Sequence, residues 1–412
     1  MNPEIDARRL QRELEELAQI SEATPPTVTR VLFSEADLRA RKYVRRLCQE
    51  AGLNWREDAL GNQFARWDGR QPGAAVATGS HIDAIPNAGK YDGVVGVLGA
   101  LEAIRALKRA GFRPLRGIEL IIFTAEEPTR FGIGCLGSRL LSGALAPEKA
   151  ADLKDGTGTR LDEVRQAAGF NGPLESVHLA ANTYSAFIEL HIEQGPILEK
   201  EGVLIGIVEK IAAPSTLRLR LTGVGGHAGA VLMPDRHDAL LAGAEIALAV
   251  EAAARSSGSP DTVGTTGVFR IEPGAVNSIP FAAWLEIDVR DTQLETLKAT
   301  LDRIERSAGE ICLRRGVALD LQRLNLDSPA TCDHRLVQAI AEVCRQAGVS
   351  HRRMISRAYH DSLFMAGICP TTMIFIPCRG GVSHRPDEYA SPEQIETGVR
   401  VLAESLAAAA DR

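Results

Sequence analysis

The sequence lacks the cysteine and charge patterns of several protein classes. Its 412 residues contain seven scattered cysteines, an odd number with no Cys-x-x-Cys pair, so neither a disulfide framework nor a zinc knuckle is expected. It has no run of Lys and Arg residues, and its 47 basic and 53 acidic residues give a net charge of −6. Nothing in the sequence therefore indicates a basic surface that would bind a phosphate backbone, and nucleic acid is not expected as a partner.

Long apolar runs and nucleophile motifs are also missing. No apolar run approaches the roughly 20 residues of a membrane span, and the charged residues 1–19 lack the apolar core of a secretory signal. We therefore expect a cytoplasmic protein that contacts no membrane. Because no Ser lies in a Gly-x-Ser-x-Gly elbow and no Cys has a convincing catalytic partner, a covalent mechanism is not expected.

The pattern of apolar residues predicts an α/β fold with two domains. Apolar strands near 74–77 and 118–123 alternate with helical segments near 93–110 and 137–142, an order typical of a mostly parallel sheet covered on both faces. From Leu217 the pattern changes to the alternation of a half-exposed strand, followed by a long Ala-rich helix. We predict a mixed, mostly parallel sheet domain of residues 1–213 and 327–412, with an α+β domain inserted over 214–326.

Five residues of the types that bind divalent metal ions follow apolar strands or lie in Gly-rich loops, where side chains from different strands converge: His81, Asp92, Glu127, His191 and His384. One such residue alone would most simply be a polar group at the end of a strand. The five together favour two open metal sites that share one bridging carboxylate. Glu126 is then a spare carboxylate able to move a proton, and Asp83 is placed to orient His81.

Several motifs resemble one family over nearly the whole chain. They are Gly79-Ser80-His81-Ile82-Asp83, Asp92-Gly93, Glu126-Glu127-Pro128-Thr129-Arg130-Phe131, His191-Ile192-Glu193-Gln194-Gly195-Pro196, Gly225-Gly226-His227-Ala228-Gly229 and Asn277-Ser278-Ile279-Pro280. This set is similar to the amidase, hydantoinase/carbamoylase family of dinuclear metallohydrolases. The resemblance implies one ion held by His81, Asp92 and His191, and a second held by Asp92, Glu127 and His384.

The same resemblance implies roles for the remaining site residues and a metal. Glu126 is the general base, and the inserted domain is a mobile lid that also forms a homodimer. His227 stabilises the reacting carbonyl, from its own chain or from the dimer partner. Asn277 and Arg290 match positions that bind the substrate carboxylate, and Gln194 and His360 match substrate-contacting positions. Manganese is the metal expected, and zinc, cobalt and nickel suit the same ligands.

The substrate expected is a small ureido compound with a carboxylate. From the residues alone, Arg290 fits either a two-point contact with a carboxylate or a surface ion pair with Asp288 or Asp291, and the resemblance favours the first. Carbamoylases and allantoate amidohydrolases of the family generally carry Gly where Tyr359 stands, which favours hydrolysis of ureidoglycolate in purine breakdown. N-Carbamoyl-L-amino acids and allantoate are the alternatives. A dipeptidase of the same fold and a non-enzymatic protein with structural metals fit the motifs less well.

Overall fold

The computed structural model of the chain describes residues 3–411, which form two units. The first unit runs to Glu209 and resumes over Thr331–Ser356 and from His360 onward. The second comprises Lys210–Ala330 together with the short segment Arg357–Tyr359. The sequence interpretation assigned that short segment to the larger domain. The assignment of the second unit as a lid and dimerisation domain stays a prediction.

The first part of unit one alternates helices and strands. In chain order they are α1 (Ala7–Ala18), β1 (Val28–Arg30), α2 (Glu35–Glu50), β2 (Asn54–Glu57), β3 (Gln63–Trp67), β4 (Ala75–His81), β5 (Ala84–Ala88), α3 (Val94–Arg109), β6 (Ile118–Phe123), α4 (Leu136–Ser142), α5 (Pro147–Ala151), α6 (Leu161–Ala167), β7 (Tyr184–Ile192), α7 (Ile197–Glu201) and β8 (Ile205–Ile211). Strand β4 and strand β6 are buried at every position, as expected for a parallel sheet covered on both faces.

The second unit consists of a small antiparallel sheet and two long helices. Its elements are β9 (Ala213–Thr222), β10 (Gly226–His227), α8 (Ala239–Arg255), β11 (Val263–Glu272), β12 (Ser278–Ile279), β13 (Ala282–Asp291), α9 (Leu294–Arg315) and β14 (Ala318–Arg323). Four strands pair in the order β11-β13-β9-β14. Leu217, Leu219 and Leu221 alternate along β9 and are fully buried, because the period of two in the sequence turns one face of the strand toward the apolar core.

The chain then returns to the first unit through β15 (Ala330–Thr331), α10 (His334–Gln346), β16 (His351–Ser356), α11 (Asp361–Met365), β17 (Thr371–Ile376) and α12 (Pro392–Ala410). The main sheet has the order β15-β8-β17-β7-β4-β6-β3-β2, with β16 also paired to β8. Its central strands β17, β7, β4 and β6 are parallel, whereas β8 and β3 join them antiparallel. The predicted α/β class with a mixed sheet is confirmed.

Two features of the first unit bear on the site. The four parallel strands all end at the same edge, so the residues that follow them are brought together there. Helix α3, which begins after Gly93, is buried over most of its length and fixes the residues before it against that edge.

Within residues 3–411 no helix combines the length and the apolar character needed to cross a bilayer.

Candidate metal centre

The carboxyl edge of the parallel strands brings together the five residues predicted to bind metal. His81 ends β4, His191 lies near the end of β7, and Asp92 comes just before α3. Glu127 follows β6, and His384 lies in the loop after β17. Four of the five side chains are buried, and His384 is partly exposed. The shared edge therefore converts five distant sequence positions into one cluster.

Asp92 lies at the centre of the cluster, between two groups of donors. Its Oδ1 is 3.5 Å from His81 Nε2 and 3.2 Å from His191 Nε2. Its Oδ2 is 3.3 Å from His384 Nε2, which is also 3.4 Å from Glu127 Oε1. The three donors of each group lie within 4.8 Å of one another. Each of the two carboxylate oxygens of Asp92 thus faces a different group of donors.

These distances fit two metal ions. Nitrogen and oxygen ligands at about 2.0–2.2 Å from a tetrahedral ion lie about 3.4 Å apart from each other. The observed separations of 3.2–3.5 Å in both groups agree with that geometry. Each group supplies three protein donors rather than the four of a closed tetrahedral site, which is typical of catalytic rather than structural sites.

The histidine tautomers also fit metal binding. His81 Nδ1 is 3.0 Å from the main-chain oxygen of Asp83, and His191 Nδ1 is 2.9 Å from that of Ile192. A carbonyl can only accept, so each Nδ1 carries the proton and each Nε2 is the unprotonated nitrogen that can bind a metal ion. His191 Nε2 accepts from the main-chain N–H of Gly93 at 3.1 Å, which agrees with this assignment. Both Nε2 atoms face Asp92.

Asp83 contacts both His81 and the Glu126-Glu127 pair. The shorter contact with the imidazole comes from its main-chain oxygen, since its carboxylate Oδ1 is 3.6 Å from His81 Nδ1. The two carboxylate oxygens accept the main-chain N–H groups of Glu126 and Glu127, at 3.3 and 3.0 Å. Asp83 thus orients one candidate ligand and fixes the backbone of another.

Glu126 lies beside the cluster, and its carboxylate belongs to neither donor group. Its Oε2 is 3.7 Å from His81 Nε2, and its Oε1 is 3.5 Å from the thiol of Cys135. Burial raises the pKa of Glu126, and burial followed by repulsion from Asp92 raises that of Glu127 to about 7. Several carboxylates crowded out of water favour a bound cation, which would offset their repulsion.

A third set of donors, formed by Glu189, His191 and His360, is a weaker metal candidate. Glu189 Oε1 accepts from Ser80 Oγ at 2.8 Å, and its Oε2 accepts from Ser362 Oγ at 2.5 Å. Both oxygens are therefore already engaged, and His191 is shared with the first group. The His360 ring lies 4.5 Å from that of His191, and its Nε2 is 3.1 Å from Ser356 Oγ. His360 therefore packs against His191, one of the metal-binding candidates, from outside the first donor group.

Gln194, predicted to contact substrate, lies directly against the shared carboxylate. Its Nε2 donates to Asp92 Oδ2 at 2.6 Å, while its Oε1 is buried without a hydrogen-bond partner among the described residues. The backbone of Gln194 has a φ of 56°, a left-handed conformation that is uncommon outside glycine. Such outliers are found at functional sites, where the surrounding structure holds them in place.

In the second unit, His227 and Asn277 lie together at a two-stranded antiparallel sheet. Strands β10 and β12 pair His227 with Ser278, and the N–H of Ala228 donates to the main-chain oxygen of Asn277 at 2.9 Å. His227 is exposed, and its Nδ1 accepts from the N–H of Gly229 at 3.1 Å. The neutral imidazole therefore carries its proton on Nε2, where it is available as a donor.

Arg290 and Tyr359 form a second pair in that unit. The Arg290 guanidinium carbon lies 5.7 Å from the centre of the Tyr359 ring, within cation–π distance. Asp288 accepts from Arg290 Nε at 2.8 Å and from Nη2 at 3.3 Å, and the main-chain oxygen of Arg357 accepts from Nη1 at 3.2 Å. The ion pair that the sequence offered as an alternative is therefore present, and it holds the guanidinium in one orientation.

Three residues at the cluster were not identified from the sequence. Cys135 contacts Glu126, and Ser383 and Glu388 contact the segment around Asp92. Ser383 is adjacent to His384, which was the one available signal. Glu388 follows Arg385 and Asp387 in a run of charged residues, a pattern that usually indicates an exposed loop, whereas Glu388 is 4% exposed.

The chain matches known proteins over nearly its full length. The model of Peptidase family M20/M25/M40 matches residues 77–408. The ureidoglycolate hydrolase of Oryza sativa subsp. japonica is 53% identical over 411 residues, which cover 98% of this chain and 84% of that protein. The crystal structure of AtUAH in complex with (S)-hydroxyglycine superposes with a TM-score of 0.92 at 52% identity, covering 99% of both chains.

A more distant structure is similar over the same extent. An amidase of the hydantoinase/carbamoylase family from Burkholderia multivorans has a TM-score of 0.88 at 33% identity, covering 100% of this chain and 99% of that one. The similarity includes all the segments that carry the metal-binding candidates. The chain belongs to Peptidase family M20/M25/M40, a family of metal-dependent hydrolases, and within it to the hydantoinase/carbamoylase amidases.

Proposed function

We propose that this protein hydrolyses the ureido group of ureidoglycolate. The observation that carries the proposal is a pair of donor groups sharing Asp92, with Glu126 next to them and outside both. The name of the rice relative and the (S)-hydroxyglycine complex of AtUAH support ureidoglycolate as the substrate. Water attack on the ureido carbonyl of ureidoglycolate releases one ammonia and leaves the carbamate of hydroxyglycine. This carbamate loses carbon dioxide to give hydroxyglycine, which breaks down to a second ammonia and glyoxylate.

In this proposal two divalent ions bind per subunit. His81, Asp92 and His191 hold one, and Asp92, Glu127 and His384 hold the other. When bound, the ions polarise the ureido carbonyl and lower the pKa of the attacking water. Manganese is the proposed metal, because hard carboxylate oxygens make up much of the donor set.

Glu126 moves the proton. Its carboxylate accepts a proton from the attacking water and transfers it to the nitrogen that leaves as ammonia, so that no charged amide has to be expelled. The main-chain N–H of Glu126 is held by Asp83, and its Oε1 contacts Cys135. These two contacts restrict the carboxylate to one place beside the cluster, which favours transfer between fixed atoms.

The remaining candidates bind and orient the substrate. Arg290, already oriented by Asp288 and stacked near Tyr359, binds the substrate carboxylate in a two-point contact, and Asn277 supports it. The Nε2–H of His227 donates to the carbonyl oxygen as negative charge develops there. Gln194 Oε1, which is buried without a partner among residues 3–411, accepts a substrate N–H. His360, whose ring packs near that of His191, also contacts the substrate.

A homodimer and a reducing, cytoplasmic setting complete the proposal. Among residues 3–411, all of the exposed large hydrophobic residues except Leu204 lie in the second unit, including Leu248 and Val276. Strand β11 forms an open edge of the sheet in that unit, and an exposed edge can pair with a second copy. The seven cysteines are all free and buried, which suits a reducing compartment. Sedimentation showing only monomers would contradict the dimer.

The experiment that tests the function measures ammonia and glyoxylate released by the Mn²⁺-loaded protein. Ureidoglycolate is compared with allantoate and a panel of N-carbamoyl-L-amino acids at matched concentrations. We expect a clear preference for ureidoglycolate with formation of glyoxylate, and Tyr359→Gly should weaken that preference. Faster turnover of a carbamoyl amino acid would overturn the substrate assignment and leave the metal and base assignments in place.

A further inference from the structure

Glu388 is a buried carboxylate that holds the main chain of the segment carrying Asp92. It lies four residues after His384 and is 4% exposed. Its Oε1 accepts the main-chain N–H groups of both Tyr91 and Asp92, at 2.8 and 3.0 Å. A Cβ atom at Gly89 would lie 2.4 Å from the Cβ of Glu388. The turn before α3 is therefore shaped to bring Glu388 against Asp92.

Glu388 also reaches the side chain of Asp92 through one intermediate residue. Ser383 Oγ lies 3.0 Å from Glu388 Oε2 and 2.6 Å from Asp92 Oδ2. Glu388 thus contacts Asp92 at two points, directly at its amide N–H and through Ser383 at its carboxylate. Together with the bond from Gln194 Nε2 to the same Oδ2, these contacts restrict rotation of the Asp92 side chain.

We propose that Glu388 is a positioning residue for the shared metal ligand Asp92. It fixes the backbone of Asp92 through Oε1 and, with Ser383, fixes the carboxylate so that one oxygen faces each donor group. The proposal rests on the proposed role of Asp92 as a ligand to both ions. Metal binding can be measured without any substrate, so a failure of this proposal is distinguishable from a failure of the substrate assignment.

The position of Glu388 has an electrostatic reason as well. Two carboxylates separated by one hydroxyl group repel each other when both are charged and buried. A glutamate whose only role was to hold a loop in place would avoid this repulsion at a position farther from Asp92. Bound cations offset that repulsion, so the arrangement is favourable when the metal groups are filled.

A purely structural role makes a different prediction, and the chain offers a matched control. Asp58 Oδ1 accepts the main-chain N–H groups of Leu60, Gly61 and Asn62, all at 2.9 Å, in the turn between β2 and β3. This turn carries no metal-binding candidate. Asp58→Ala therefore removes a carboxylate that holds a turn, as Glu388→Ala does, without touching Asp92.

The test measures binding of Mn²⁺ alone, from the electron paramagnetic resonance signal of the free ion, to Glu388→Ala, Glu388→Gln, Ser383→Ala and Asp58→Ala. Loss of a residue that orients a metal ligand typically lowers metal affinity about 10- to 100-fold, and we expect this loss for Glu388→Ala at both sites. Glu388→Gln should stay within about threefold, because its amide oxygen still accepts both N–H groups and its NH₂ donates to Ser383.

Ser383→Ala should weaken Mn²⁺ binding less than Glu388→Ala does, since only the side-chain link is lost. It also keeps the test decisive if Glu388→Ala does not fold. Asp58→Ala should lower the melting temperature of the metal-free protein without changing Mn²⁺ affinity. Unchanged Mn²⁺ affinity in the folded Glu388→Ala and Ser383→Ala variants would overturn the proposal, and so would an equal loss in Asp58→Ala.

Discussion

Replacing Gly93 by Ala should damage the metal centre through a single methyl group. Gly93 is the residue before α3, with φ 66° and ψ −45°, outside the regions that residues with a side chain prefer. A Cβ atom there would lie 2.4 Å from His81 Nε2 and 2.5 Å from the two ring carbons beside it. The added methyl group would therefore overlap the nitrogen that is expected to bind metal.

The expected damage in Gly93→Ala has two separate causes, the strained backbone conformation and the displaced His81 ring. Holding Ala in this backbone conformation costs about 1–3 kcal/mol of the free energy of unfolding. To restore ordinary van der Waals contact, the His81 ring must also withdraw by about 1 Å. A ligand displaced this far no longer fits the metal distance, and a misplacement of about 1 Å can lower the rate about 100-fold.

Gly111→Ala is the matched control. Gly111 has a φ of +73°, and a Cβ atom there would meet nothing within 4 Å, so only the backbone cost applies, at roughly 1–2 kcal/mol. The assays are urea unfolding of the metal-free proteins, Mn²⁺ stoichiometry and kcat/KM. Gly93→Ala should lose the His81 ion and most activity, whereas Gly111→Ala keeps both. Two tightly bound ions and normal turnover in Gly93→Ala would refute the reasoning.

Three further predictions concern the base, the core and pH. Glu126→Gln should retain both ions by metal analysis but lose about 10²–10⁴-fold in kcat, and a near-normal rate would exclude Glu126 as the base. Arg30 is buried and donates to the main-chain oxygens of three residues. A lysine cannot make all of these hydrogen bonds, so Arg30→Lys should lower the free energy of unfolding in urea by about 2–4 kcal/mol. A decrease of less than about 0.5 kcal/mol would contradict this prediction. Bonds from Arg315 and Arg314 lower the pKa of Glu245 to about 2. The stability this pair adds is therefore present above the unfolded pKa near 4.5 and lost as the pH falls toward 2. Because these side chains are partly exposed, their bonds contribute less than about 1 kcal/mol to the free energy of unfolding. In thermal melts, the stability of Glu245→Gln should therefore fall less between pH 4.5 and 2 than that of the unchanged protein.

The buried strands and long helices could be predicted because their apolar residues repeat with a clear period. Strand β6 has the bounds predicted from sequence, residues 118–123. Strands β2 and β3 were missed. Asn54–Glu57 has no buried position, so it lacks an apolar signal, and its conformation is set by pairing with β3. Tertiary pairing of this kind leaves little trace in the local sequence.

Some residues of the candidate site could likewise be predicted from the sequence, and others could not. The five metal-binding candidates could be found because each follows an apolar strand or lies in a Gly-rich loop, and parallel strands bring their carboxyl ends together. The contacts of Glu388 could not be found, because a charged residue beside Arg385 and Asp387 gives no local sign that it is buried. The contact of Asp83 through its main-chain oxygen was equally hidden, since main-chain contacts do not depend on residue type.

The arrangement of ligands along the chain has a consequence for biosynthesis. The bond from Ser383 to Asp92 spans 291 positions, and the whole second unit is synthesised after His191 and before His384. A growing chain that has already made His81, Asp92 and His191 still lacks His384 and the residues that steady the shared carboxylate. Contacts between such distant positions form late. A chain terminated before residue 384 would therefore lack the third donor of the group formed by Asp92, Glu127 and His384.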